Sequence, residues 1–284
     1  MKLELIALPH RVGSEIRGLD PREIAGAEEA TLREAFLRNS VLLWRDAQLT
    51  PESHLALTRI LGEPEIHPMA PTRPGQPPEI IEPSYSAGNA DDPDEIVGHI
   101  PWHSDQTYTQ RPSRGALLRA IEIPPEGGQT GFVDTASVYE ALTDDLKEQV
   151  EGLEVVHRLA RAHRLLGLQH DAEKARELAD KFPGIVHPLV RVDPKSGVRS
   201  LDISPMFADA IAGWSAAESE TLLTRLREFA TQSRFVYWHE WKPDDLIICN
   251  NYRTLHSAAG HKNRYVRTMN RTTLTGEIDG RRAA

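Results

Sequence analysis

The chain has 284 residues, 39% hydrophobic and 26% charged, with a formal net charge of −9 and one cysteine. That length and balance allow a single globular domain over 1–284, and the acidic surplus excludes a general binder of nucleic acid or anionic membranes while leaving a small anionic substrate open. The lone Cys249 excludes an internal disulfide, and with no apolar run long enough to cross a bilayer and no signal-peptide core in MKLELIALPH, the cytoplasm is the expected location.

In chain order, Val41 to Trp44 is a compact apolar run, the mark of a buried strand. Thr50-Pro51 reads as an N-cap followed by proline at the first helical position, with Leu55, Leu57, Ile60 and Leu61 beyond. Residues 63–101 change character. Nine prolines and an acidic run from Asp91 to Glu95 make them a long connection, read as a lid because it leads into the chain's sharpest motif. Residues 113–134 look like strands broken by Pro124-Pro125-Glu126-Gly127-Gly128. Helical signals follow at 136–151 and 170–181. Ile185 to Val192 and Arg199 to Ile203 flank Asp193-Pro194-Lys195-Ser196-Gly197, a hairpin signature. Ser215-Ala216-Ala217-Glu218 is a capping box opening a helix to about Ser233. Phe235–Trp241, Leu246–Cys249 and Tyr265–Leu274 read as strands. The pattern predicts a mainly β protein with helical insertions, arranged as a double-sheet jelly roll.

The sharpest local feature is Trp102-His103-Ser104-Asp105-Gln106-Thr107-Tyr108. On a strand, residues i and i+2 share a face, so His103 and Asp105 can grip one ion together. An imidazole and a carboxylate joined by a distant second imidazole form the facial triad of non-haem Fe(II) oxygenases. His256, following a strand, offers that imidazole, and His261 competes with it. Arg267 and Arg271 share a strand face, and a guanidinium fork suits a carboxylate. Thr130, after Gly127-Gly128-Gln129, offers a hydroxyl where glycines let the backbone approach closely. Taken singly, these are a polar pair on a surface strand, a loop histidine, solvated arginines and a turn threonine. Their specificity lies in the ordered set.

That set, His103-x-Asp105, Gly127-Gly128-x-Thr130, His256 and Arg267-x-x-x-Arg271, resembles the taurine dioxygenase and 2,4-dichlorophenoxyacetate dioxygenase (TauD/TfdA) family, with further similarity at Val41–Gln48, Gly152–His157 and His187–Val190. The resemblance implies a double-stranded β-helix with Fe(II) held by His103, Asp105 and His256. It implies 2-oxoglutarate and O₂ as co-substrates, with Arg271 and Thr130 at the distal carboxylate of 2-oxoglutarate and Arg267 near its metal-binding carboxylate. The outcome would be hydroxylation of a small organic substrate with release of succinate and CO₂. Family halogenases replace the carboxylate ligand, and Asp105 is intact. Members are commonly dimers or larger, so a homo-oligomer is expected.

For the substrate, His67 falls where taurine-type members place a sulfonate-binding histidine. The tyrosine found shortly after it there is Ala70 here, and the asparagine four residues before the first iron ligand is His99. Both departures weigh against taurine itself. His67, His99, Ala70 and Arg271 are therefore the candidate substrate residues, and an aryloxyalkanoate or similar organic acid is favoured over a sulfonate. The family's Trp-Asp-Asn-Arg is Cys249-Asn250-Asn251-Tyr252 here, which predicts different support beside His256. A non-catalytic metal or small-acid binding module, or a Zn²⁺ hydrolase using metal-bound water, would share parts of this site.

Overall fold

The computed structural model describes residues 3–66, 75–85, 92–277 and 282–283. Its largest unit is an eight-stranded sheet. The order runs Glu4–Ala7, Gly13–Arg17, Val41–Trp44, Leu246–Asn250, Gly115–Glu122, Arg267–Leu274 and Pro64–Glu65, with Ser84–Tyr85 also pairing Arg267–Leu274. All these pairs are antiparallel except Gly13–Arg17 with Val41–Trp44. A four-stranded antiparallel sheet, Tyr237–His239, Thr130–Asp134, Thr254–Lys262 and Ile96–His103, carries most of the candidate site. A third sheet joins Ala208–Ile211, Glu154–His157, Ile185–Pro188 and Arg282–Ala283.

The period-two rule explains the layering. Leu42 and Trp44 point to one face and join Leu32, Phe36 and Leu57 from helices Ala27–Arg38 and Pro51–Leu61. Val41 and Leu43 point to the other and meet Phe132 and Trp241 from the four-stranded side. A strand buried on both faces reads as a continuous apolar run, hence Val41 to Trp44. The outer face of the four-stranded sheet, through Val133 and Leu255, packs on Leu222, Leu223 and Leu226 of helix Ala216–Ala230. The protein is thus mainly β, with helices on the outer faces of two facing sheets. No helix of the described residues is long and apolar enough to cross a membrane.

Several boundaries differ from expectation. The stretch 136–151 forms two helices, Thr135–Glu140 and Asp144–Val150, because the Thr143 hydroxyl accepts from Leu146 N–H and starts a new one. Only Tyr237–His239 of Phe235–Trp241 pairs as strand, since Phe235 and Val236 pack instead into the core under helix Ala216–Ala230. Helix Leu159–Leu165 was not foreseen. Within 63–101, Pro64–Glu65 and Ser84–Tyr85 pair with Arg267–Leu274, and Ile96 onward is strand. Residues 67–74 and 86–91 of that segment lie outside the described residues.

His54 gives the fold a pH dependence. It is fully buried on helix Pro51–Leu61, with Nε2 3.3 Å from Thr272 Oγ1. Burial, aided by Arg119, pushes its pKa down from 6.5 to about 4. The folded group is neutral while the unfolded one protonates, so its stabilisation is complete above pH 6.5 and lost as pH falls towards 4. Between pH 7 and 5 the loss is about 2 kcal/mol. His54→Gln should therefore lose less Tm between those values than wild type in scanning calorimetry. Equal losses would place the acid sensitivity elsewhere.

Candidate active site

Strand Ile96–His103 ends on His103, whose register partner on Thr254–Lys262 is His256. Their rings lie 4.1 Å apart between centroids. Asp105 is not on the strand, contrary to expectation. It sits in the turn beyond, and hydrogen bonds rather than the pleat return it to the histidines. Asp105 N–H donates to Asn251 Oδ1 at 2.7 Å, and Asn251 Nδ2 donates back to Asp105 O at 3.0 Å and to Ser113 O at 2.8 Å. Ser104 N–H donates to Ser204 Oγ (3.1 Å) and its hydroxyl to Thr254 O (2.8 Å). Gln106 takes φ 54°, reversing the chain after Asp105.

The result is three donor atoms on one small volume. Asp105 Oδ1 is 3.4 Å from His103 Nε2 and 3.7 Å from His256 Nε2. Metal bonds of about 2.1 Å at right angles put donors about 3 Å apart, so small adjustments bring all three to one ion. Their protonation fits as well. His103 Nδ1 lies 2.8 Å from Pro101 O, which fixes the proton there and frees Nε2 as a ligand. Burial, reinforced by His103, pushes His256 down to about 3, so its lone pair is available. Burial opposes ionisation of Asp105, but Arg271, His256 and His103 outweigh it and hold the carboxyl well below its usual range. His261, the competing histidine, pairs opposite Val97 with Nδ1 on Lys262 O and does not join the cluster.

The arginines divide differently from expectation. Arg267, not Arg271, adjoins Thr130: its Nη2 donates to Thr130 Oγ1 at 3.4 Å and its Nε to Gly128 O at 3.1 Å. Gly128 has φ +73°, and a Cβ there would sit 3.3 Å from Arg267 Cδ and 2.8 Å from Pro124. Arg271 instead donates to Asp105 Oδ2. Four residues of strand separate the two Cα atoms by about 13 Å, so period two gave both arginines one face but different neighbours. Arg271 and Thr130 line a common cavity with Asp105, His256 and the apolar walls Ala116, Leu118, Phe132, Ile247 and Cys249.

Among the candidate substrate residues, His67 and Ala70 lie outside the described residues, and His99 is exposed opposite Ala259. The sequence placed Asn251 as support beside His256, and the structure shows it holding the Asp105 turn instead. The sequence reading missed the aromatic group beside the triad. Phe207 meets His103 edge-on at 6.5 Å, and Tyr108 lies 4.8 Å from Phe207 and 5.2 Å from Phe182. Tyr252, at the position of the family's arginine, is stacked by the guanidinium groups of Arg114 (4.3 Å) and Arg191 (4.7 Å).

A second buried group, His157, His187 and Asp202, also has metal-like spacing. Here Arg191 donates to Asp202, and His187 Nδ1 is 2.8 Å from the same carboxylate. All three side chains are buried around that guanidinium, an internal ion network, whereas Asp105 and His256 of the first cluster line a cavity. Its His157 Nδ1 meets Thr107 Oγ1 at 2.9 Å, tying it to the turn that carries Asp105.

A two-histidine, one-carboxylate cluster with an arginine-bearing strand beside it has the donor set of a mononuclear non-haem Fe(II) oxygenase. The chain belongs to the taurine catabolism dioxygenase TauD, TfdA family, whose model matches residues 4–273. It is 32% identical over 281 residues to an (S)-phenoxypropionate/alpha-ketoglutarate-dioxygenase of Sphingobium herbicidovorans, covering 96% of this chain and 95% of that protein. It is 29% identical over 285 residues to an alpha-ketoglutarate-dependent sulfate ester dioxygenase of Pseudomonas putida, covering 98% and 91%. A crystal structure of AAD-2 in complex with Mn(II) and N-oxalylglycine superposes with a TM-score of 0.83 at 29% identity, covering 98% of each chain. The protein is a 2-oxoglutarate-dependent dioxygenase, with Fe(II) as its metal and 2-oxoglutarate and O₂ as co-substrates.

Proposed function

We propose that His103, Asp105 and His256 hold the iron and that the enzyme hydroxylates a small anionic organic substrate, with an aryloxyalkanoate favoured. The observation that carries the substrate class is the pairing of a cation with an aromatic wall. Arg271 stands against Asp105, while Phe207, Tyr108 and Phe182 extend from His103. Aromatic pairs at such offsets accept a further ring edge-on or stacked.

In this reading Arg267 and Thr130 fix the distal carboxylate of 2-oxoglutarate. With Asp105 engaged as a ligand, the Arg271 fork that now meets it would be free to receive an anionic group in the same cavity. Leu118, Phe132 and Ile247 keep water from the reacting centre. Bound iron and 2-oxoglutarate supply the oxidising power, reducing O₂ as the 2-oxo acid becomes succinate and CO₂ and a substrate C–H gains a hydroxyl. The protein orients that C–H bond. The lid expected over 63–101 falls in part outside the described residues, with His67 and Ala70 among them. The facing sheets are read as a double-stranded β-helix forming one domain over 1–284. Exposed Leu165, Leu166 and Leu168 supply an apolar patch for a homo-oligomer. The buried free thiol of Cys249 suits the cytoplasm.

A sulfate ester or sulfonate is the second reading, favoured by the likeness to the Pseudomonas putida enzyme. Succinate formation should be measured with iron, 2-oxoglutarate and O₂ across phenoxyacids, alkyl sulfates and sulfonates. Greatest stimulation by a phenoxyacid is expected. Greater stimulation by a sulfate ester or sulfonate would establish the second reading, and none above background by any acid would overturn both.

A further inference from the structure

We infer that Trp241 is a positioning residue for 2-oxoglutarate: its indole N–H, together with Arg267, occupies the Thr130 oxygen and leaves the hydroxyl proton for the distal carboxylate. This rests on the assignment of Thr130 and Arg267 to that carboxylate. Trp241 is buried, and its Nε1 donates to Thr130 Oγ1 at 2.9 Å. Arg267 Nη2 approaches the same oxygen at 3.4 Å. An indole and a guanidinium can only donate, and a hydroxyl oxygen has two lone pairs and one proton. Both lone pairs are therefore engaged, and the proton must go to a third group. No acceptor among the described residues takes it, and Thr130 lines the cavity shared with Asp105, His256 and Arg271. A carboxylate arriving there completes the set. Without the indole, the hydroxyl could rotate, and ordering it would oppose binding.

The indole is itself fixed. His239, the register partner of Thr130, lies edge-on to Trp241 at 4.6 Å. His239 Nε2 is 3.1 Å from Asp245 Oδ2, and Tyr237 OH is 3.0 Å from Nδ1. Burial lowers the pKa of His239, so the ring is neutral. It then donates to Asp245 and accepts from Tyr237, with both nitrogens held. Asp245 is anchored in turn by Arg45 and by Lys242 N–H. A rigid chain thus runs from Asp245 through His239 and Trp241 to Thr130.

The test compares two ligands on the Mn(II)-loaded protein by calorimetric titration. One is 2-oxoglutarate; the other is pyruvate, which has the chelating end without the distal carboxylate. Trp241→Phe should weaken 2-oxoglutarate about 10-fold and leave pyruvate within about 2-fold. Thr130→Val should weaken 2-oxoglutarate similarly, and the double variant should be no worse than Thr130→Val alone. Thr130→Ser, which keeps the hydroxyl, should bind like wild type and lose affinity when Trp241→Phe is added. Unchanged 2-oxoglutarate affinity in Trp241→Phe, equal weakening of both ligands, or additive losses would overturn the inference. If Thr130→Val itself binds 2-oxoglutarate normally, the assignment of Thr130 falls and takes the inference with it.

Discussion

Asp105→Ala is expected to reduce succinate formation by well over about 100-fold, since even residues that only support metal ligands cost 10–100-fold when removed. The loss has two sources. Two imidazoles remain where three donors met, and Arg271, which donates to Asp105, loses its carboxylate. A buried guanidinium without its partner costs folding energy and repels a divalent ion from the same cavity. The variant should therefore fail to retain iron on gel filtration as well as fail to turn over. Asn251 should still hold the turn, because its bonds go to the backbone of residue 105. Circular dichroism close to wild type would separate a lost ligand from a lost fold. Retention of more than a tenth of the wild-type rate would remove Asp105 from the metal.

Arg267→Ala should raise the dissociation constant for 2-oxoglutarate by about 100-fold or more, the scale expected when one partner of a buried charge pair is truncated. Arg267 reaches the site along a defined path, with its stem against Gly128 and its Nη2 on Thr130. Arg267→Lys should recover only part of the affinity, since an ammonium cannot reproduce the fork. Arg271→Ala should act mainly on the KM of the organic substrate. Titration of 2-oxoglutarate into both variants decides between them. A larger loss in Arg271→Ala would restore the pairing of Arg271 with Thr130 that the family resemblance implied.

The three metal-binding candidates were legible because their order and spacing belong to a recognisable set, not because any one stands out. Val41 to Trp44 was legible because two-sided burial leaves a four-residue apolar run. Ser215 was legible because its hydroxyl and Glu218 must satisfy the free N–H groups of the first helical turn. Period two placed Arg267 and Arg271 on one face but carries nothing about what stands opposite, and the resemblance gave Thr130 to Arg271 where the structure gives it to Arg267. The His-x-Asp pair was expected to meet through the pleat of one strand, yet Asp105 lies in the turn beyond it. Asp105 is brought in by Asn251 and Ser204, both remote in the chain, and no local pattern encodes a clamp of that kind. Trp241 looked like strand, yet its indole turns inward to Thr130. The break before Asp144 was visible in Thr143, an N-cap residue inside a helical run.

The central claim is that side chains from two neighbouring strands and the turn beyond one of them close on a single ion. Anomalous diffraction at the iron edge, on crystals grown anaerobically with Fe(II), locates that ion directly. One peak about 2.0–2.2 Å from His103 Nε2, His256 Nε2 and an Asp105 oxygen is predicted. A peak seated instead between His157, His187 and Asp202, or none at the triad, would contradict the account.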